Sequence, residues 1–213
     1  MKSDPVARLK RSAVSLFNRR PALSHGGLRF LVRLKSKREG GAVFLALVKS
    51  LAESVMAEAR NPKWTSYGAL EIDIFAPTAE DFELFLAAVG PMAETEFSKN
   101  LSEAPPYKPK EALVDEARGY FNSERYWEAH ETLESVWRAA AGDEKSYLQG
   151  LILVCAAFVH HQKREETVAL GVLRRASRQL SYGANHYFGI RVDALKKNVD
   201  GILAAGRFEV FTV

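Results

Sequence analysis

The chain has 213 residues, 47% hydrophobic and 26% charged, with a formal net charge of +4; this mixture excludes a disordered tail and fits one large domain or two small ones. A single cysteine, Cys155, sits in the apolar run Leu151 to Val159, which excludes an intramolecular disulfide and points to a reducing cytoplasm. That run is the longest uninterrupted apolar stretch and falls well short of the roughly 20 residues a membrane helix needs, so no membrane span is expected.

The charge is uneven along the chain. Residues 1 to 38 carry eleven basic groups against Asp4 alone, leaving a net negative charge on the remainder. Such an end either meets phosphates on nucleic acid or an anionic surface, or pairs with the acidic part of its own chain. Asp4 and Pro5 make a good helix start, and Val6, Leu9, Ala13, Leu16 and Phe17 recur at helical spacing, which predicts a basic amphipathic helix ending at Pro21. Leu28, Phe30, Val32 and Leu34 then alternate with Arg29, Arg33 and Lys35. That period of two predicts a half-buried strand whose basic face makes Arg29, Arg33 and Lys35 the candidate contacts to nucleic acid or another anion.

Gly40 and Gly41 open a helical pattern of Val43, Leu47, Leu51, Val55 and Ala59, expected to stop at Asn61-Pro62 because proline disfavours helix in the residue before it. Leu70, Ile72 and Ile74 predict a second strand, Thr78 caps a helix carrying Phe82, Phe85, Leu86 and Val89, and Met92 to Phe97 is a third strand candidate. The order strand, helix, strand, helix, strand predicts a small α/β sandwich of the split-βαβ kind within a basic domain, residues 1–104. Pro105, Pro106 and Pro109 mark the boundary.

Beyond it the sequence reads as helices at about 111 to 121, 124 to 140, 144 to 162, 165 to 181 and 191 to 204, with turns near Asn122-Ser123, Gly142-Asp143 and Gly183. Short connections make this second domain, residues 111–204, an all-α bundle of about five helices, so the fold class is α+β. Phe208 to Val213 is β-branched and aromatic, which predicts a strand returning to the first domain's sheet.

On the helix 124 to 140, Tyr126, Ala129, Leu133, Val136, Trp137 and Ala140 form one stripe, with His130 inside it and Glu134 at its edge beside Trp127. His130 and Glu134 are therefore an i, i+4 imidazole and carboxylate pair flanked by two indoles. That pair suits a divalent metal ion with nitrogen and oxygen ligands, or a general base oriented by an acid. Glu131 is adjacent and turned outward, while Glu128, Thr132 and Ser135 face the other way. The next helix is apolar nearly all round, with Gln149 and His160 on one line and His161 turned towards solvent. Of the two, His160 is the better ligand to complete a site with His130 and Glu134. The competing reading is a polar network that locks two helices, with Trp127 and Trp137 as core. The string lacks the second histidine of His-Glu-x-x-His, and neither Gly26-Gly27 nor Gly40-Gly41 forms a phosphate loop or dinucleotide fingerprint.

The string Tyr126 to Val136 and Trp137, together with Leu148-Gln149-Gly150-Leu151-Ile152, the alanines before His160, and Tyr187 to Val192, resembles the signature of domain-of-unknown-function family 309 over residues 111–204. The resemblance implies a small all-helical domain found in bacteria and archaea, whose members carry the label metal-dependent hydrolase because of the His and Glu motif. Carried over by position, it makes His130, Glu131 and Glu134 the candidate polar residues, with Trp127 and Trp137 beside them and Gln149 and His160 from the next helix. If the reaction is hydrolysis of a small ligand, His130, Glu134 and His160 would hold a divalent metal ion as cofactor, with Glu131 as the catalytic base where the helix turns it inward. Leu153 stands where members often have glutamine, and Arg191 where they have an acid. The alternative expectation is a non-enzymatic adaptor whose basic domain contacts nucleic acid or an acidic partner.

Overall fold

The computed structural model describes residues 27–37, 41–103, 107–181 and 185–213. The expected helix after Asp4-Pro5, the boundary prolines Pro105 and Pro106, and the turn at Gly183 lie outside these residues. The described chain forms two compact units, one reaching Pro62 and resuming at Gly68, the other made of Lys63–Tyr67 and the residues after the boundary.

The first unit holds β1 (Leu28–Ser36), α1 (Ala42–Ser54), β2 (Glu58–Trp64), β3 (Leu70–Ala76), α2 (Ala79–Val89) and β4 (Ala93–Asn100). Its sheet has the order β2-β3-β1-β4, with β1 antiparallel to both β3 and β4. The β-α-β-β-α-β order with β3 inserted between β1 and β2 is a split-βαβ arrangement. One strand was not anticipated. The helix read from Val43 towards Asn61 ends instead at Ser54, and residues 58–64 become β2. Met56 takes a left-handed φ of 60°, which breaks the helix. Pro62 is tolerated because β2 is an edge strand, the place within a sheet where proline is found.

The alternation in β1 is real, but its second face is not a solvated one. Phe30 stacks on Phe82 of α2 with ring centroids 3.8 Å apart. On the opposite face Arg33 is 4% exposed and donates to Glu71, which is fully buried, at 2.8 Å. The two are register partners across β1 and β3. Arg29 donates to Asp73 Oδ2 at 2.7 Å, and Asn61 donates to the same oxygen at 2.8 Å. The strand pairing thus sets Glu71 directly opposite Arg33, and Arg29, opposite Phe75, reaches Asp73 diagonally on the same strand, which only the register reveals.

Thr78 starts α2 with a complete capping box, its side chain accepting from the Asp81 amide while Asp81 accepts from the Thr78 amide. Thr78→Ala is expected to cost about 1 kcal/mol, read as a small loss in urea midpoint without change of slope.

The second unit holds α3 (Lys110–Asn122), α4 (Tyr126–Ala139), α5 (Gly142–Gln162), α6 (Glu166–Leu180), the hairpin β5 (His186–Tyr187) and β6 (Ile190–Arg191), and α7 (Val192–Ala205). The five helices stand where periodicity placed them, and α5 is central, burying eleven residues that include Tyr147, Leu151, Phe158 and Gln162. Gly150 of α5 stands close to Leu180 at the end of α6. A Cβ there would stand 3.0 Å from the backbone nitrogen, Cγ and Cδ2 of Leu180. Gly150→Ala is therefore expected to destabilise the unit by about 1–3 kcal/mol, measured by denaturant unfolding, because a backbone atom must move.

The C-terminal residues form no strand. Phe208 packs into the helical core, Phe211 lies against Phe121 and Phe158 with ring centroids 5.5 and 5.4 Å away, and the amide and carbonyl of Val213 both bond the Asn122 side chain. Aromatic side chains gain their free energy from burial, and a helical core supplies it as well as a sheet does. No described helix is long and apolar enough to cross a membrane.

Candidate metal centre

The site is built on α4, whose buried stripe of Tyr126, Ala129, Leu133 and Val136 faces the core. Tyr126 begins the helix directly after Arg125, which donates two hydrogen bonds to Glu128 and lies 4.4 Å from the centre of the Tyr120 ring. Glu128, expected on the outer face, is 5% exposed as a result. This pair secures the first turn of α4 and leaves the next turn to present the site.

His130 is the pivot. Its Nδ1 lies 3.4 Å from the Ile152 carbonyl of α5; a carbonyl only accepts, so Nδ1 is the donor there and Nε2 is the ring atom turned to the site. Nε2 faces Glu134 Oε1 at 3.5 Å. The ring is stacked on Trp127 at 5.5 Å and 12°, so the indole blocks one side of the imidazole. Glu134 uses its other oxygen to accept from Arg138 at 3.3 Å. Glu131 is exposed, yet the ligand atoms of His130, Glu131 and Glu134 all lie within 4.8 Å of one another. The outward residue thus reaches back to the other two, which its helix angle did not predict.

The remaining expected residues fall elsewhere. His160 does not join the group: it pairs with Glu165 at 2.5 Å, and it lies eight residues, or about 12 Å of helix, beyond the Ile152 carbonyl that meets His130. His161, expected to face solvent, pairs with Glu166 at 2.8 Å and stacks on Phe208 at 4.6 Å. Gln149 is half-buried on α5, three residues before Ile152 and so on the same helix face. Trp137 is packed against the core, and Lys145 of α5 lies 4.3 Å from the centre of its ring. In the first unit, Arg29 and Arg33 are engaged by Asp73 and Glu71, whereas Lys35 is exposed. The ion pairs offset part of the charge of both arginines.

Two functional neighbours escaped sequence reading. Arg138 carried a signal, being one turn beyond Glu134 on the same face. The Ile152 carbonyl carried none, since backbone groups are identical at every residue. An apolar hollow in the same unit, lined by Ala117, Phe121, Leu133, Leu151, Cys155 and Leu195 among others, does not include His130, Glu131 or Glu134. Burial there pushes the Cys155 thiol up to about 12. At neutral pH it is protonated and enclosed, so iodoacetamide is expected to label it only after unfolding, as mass spectrometry would show.

No curated protein and no solved structure matches the chain. Residues 114–172, which carry most of α3, all of α4 and α5 and the first half of α6, match the model of the family described as Domain of unknown function (DUF309).

Proposed function

We propose that the helical unit binds a divalent cation through His130 and Glu134, and that the bound ion serves a hydrolytic reaction in which Glu131 is the base. The reading is carried by one observation: three donors of cation-binding type lie within 4.8 Å of one another on one helix turn, Glu131 exposed and His130 and Glu134 half-buried. The donor set fits. An imidazole nitrogen and a carboxylate, with a second carboxylate beside them to serve as base, suit zinc, manganese or iron, and the proton on Nδ1 is held by a backbone carbonyl in the way that orients a metal-binding histidine. When bound, such an ion supplies Lewis acidity to a substrate oxygen and lowers the pKa of a water it coordinates.

The chain's own residues supply the rest. Trp127 holds the imidazole ring flat against one side, so Nε2 stays aimed at Glu134. Arg138 steadies Glu134 through the oxygen that does not face His130. Glu131, at the solvent edge, is placed to accept a proton from a water at the site.

The test is uptake of Mn²⁺ or Zn²⁺ by the full chain after treatment with chelator and buffer exchange. One ion per chain at saturation is expected; absence of saturable uptake for either ion overturns the reading.

A further inference from the structure

Helix α6 carries a charge distribution that its packing does not explain. Glu165 and Glu166 at its start are engaged by His160 and His161. From Thr167 to Ser181 there is no acid, and Arg174, Arg175 and Arg178 are the charged residues. The stripe Ala169, Val172, Leu173, Ala176 and Leu180 is buried, so the three arginines share the opposite face, where all are exposed. Arg178 follows Arg174 by four residues and Arg175 by three, spacings that set the Cβ atoms about 5–6 Å apart on one helix surface. Like charges so placed repel and cost the helix stability.

Nothing within the chain offsets that cost. Among the described residues none of the three arginines has a carboxylate partner, in contrast to Arg29 and Arg33 of β1. Asp200 of α7 reaches the edge of this face, where it accepts from Ser177 at 3.0 Å rather than from an arginine. The helix dipole favours a cation in the last turn, which accounts for Arg178 but not for Arg174 or Arg175, because the effect fades within that turn.

We infer that the arginine face of α6 is a nucleic-acid contact, which holds the phosphate backbone without reading base sequence. Each guanidinium presents a planar fork to phosphate oxygens, and a row of them on a rigid helix neutralises several phosphates together. The polymer supplies closely spaced charges to match the row. Ser177 and Gln179 flank the arginines, and such short polar groups suit backbone contact, whereas a lipid surface calls for large apolar ones. The contact is independent of the cation group on α4.

The experiment is fluorescence anisotropy of a labelled DNA duplex of about 20 base pairs with the full chain across a salt series. Each phosphate neutralised contributes about 0.9 to the slope of log K against log salt. The wild type is expected to bind at low salt. The combined substitution Arg174→Gln, Arg175→Gln and Arg178→Gln is expected to weaken binding at least about tenfold and to lower the slope by about 2–3. Thermal unfolding followed by circular dichroism is expected to show the variant at least as stable as the wild type, since the repulsion is relieved. Should it unfold, Arg174→Gln alone is read in the same way, with a slope change of about 1. A charge-matched control, Lys49→Gln with Arg60→Gln and Lys99→Gln on exposed positions of the first unit, is expected to keep the wild-type slope. Absence of wild-type binding overturns the inference. So does an unchanged slope in the α6 variant, which would place the contact elsewhere on the chain, or an equal loss in the control, which would reduce the effect to net charge. Binding to vesicles of anionic phospholipid with none to the duplex also overturns it, and puts a membrane surface in its place.

Discussion

Replacing His130 with alanine is expected to lower divalent-cation affinity at least about a hundredfold while the helical unit stays folded. The imidazole is the only nitrogen donor in the group, and it is the donor held by a second helix. Without it, Glu134 is the one proposed ligand left, and a lone surface carboxylate holds a divalent ion weakly. The structural cost is small, because His130 is partly exposed at 18% and its link to Ile152 is a long hydrogen bond. Two companions sharpen the result. Glu134→Gln keeps the shape and removes the charge, so it too is expected to lose the ion. His160→Ala is expected to bind as the wild type does, since His160 is committed to Glu165 well away from the group. Metal analysis beside a Mn²⁺ titration reads all three. Wild-type affinity in His130→Ala would show that the ligands have been assigned wrongly.

Phe158→Ala is expected to destabilise the helical unit by about 3–5 kcal/mol, the largest stability effect of any substitution considered. Phe158 has no exposed surface. Its ring meets those of Phe121 at 5.4 Å, Tyr126 at 4.8 Å, Phe208 at 5.2 Å and Phe211 at 5.4 Å, so it joins α3, α4, α5 and the C-terminal residues. Removing it loses the transfer free energy of the ring and leaves a cavity that four other aromatic groups cannot close without moving. Phe208→Ala, at the rim with 8% exposure, is expected to cost less. Urea unfolding of both variants gives the comparison, and equal losses would mean that the aromatic cluster does not centre on Phe158. Because α4 is anchored through Tyr126 on this cluster, the same substitution is expected to weaken cation binding as well.

Periodicity and capping made much of the architecture readable. The apolar residues of α3 to α7 recur at helical spacing, because each helix buries one stripe and that demand is written locally. Thr78 and Gly90 bounded α2 for the same reason. In the site, the i, i+4 offset of His130 and Glu134 places them together on any helix, and the structure finds them 3.5 Å apart.

Non-local contacts were a different matter. The helical spacing from Val43 to Ala59 carried the expected helix to Asn61, yet residues 58–64 became β2, because Met56 turned the chain and the edge of the sheet accepted Pro62. Arg33 could be read as an anion contact or as a partner for the chain's own acids, and only the register shows Glu71 opposite it. Phe208 to Val213 had the composition of a strand, yet packed on Phe158 and Asn122, since hydrophobic burial is non-directional and does not require a ladder. His160 shared a helix line with Gln149, but only the meeting of His130 with Ile152 shows how far along α5 it sits.

By itself, then, the sequence determined the helices, their caps and the local pairing of His130 with Glu134, because these depend on residues a few positions apart. The tertiary structure decided the strand order, the partners of the buried charges, the return of Glu131 towards the group and the absence of His160 from it. Those depend on which segments meet, and that is settled by the packing of the whole unit rather than by any short stretch of chain.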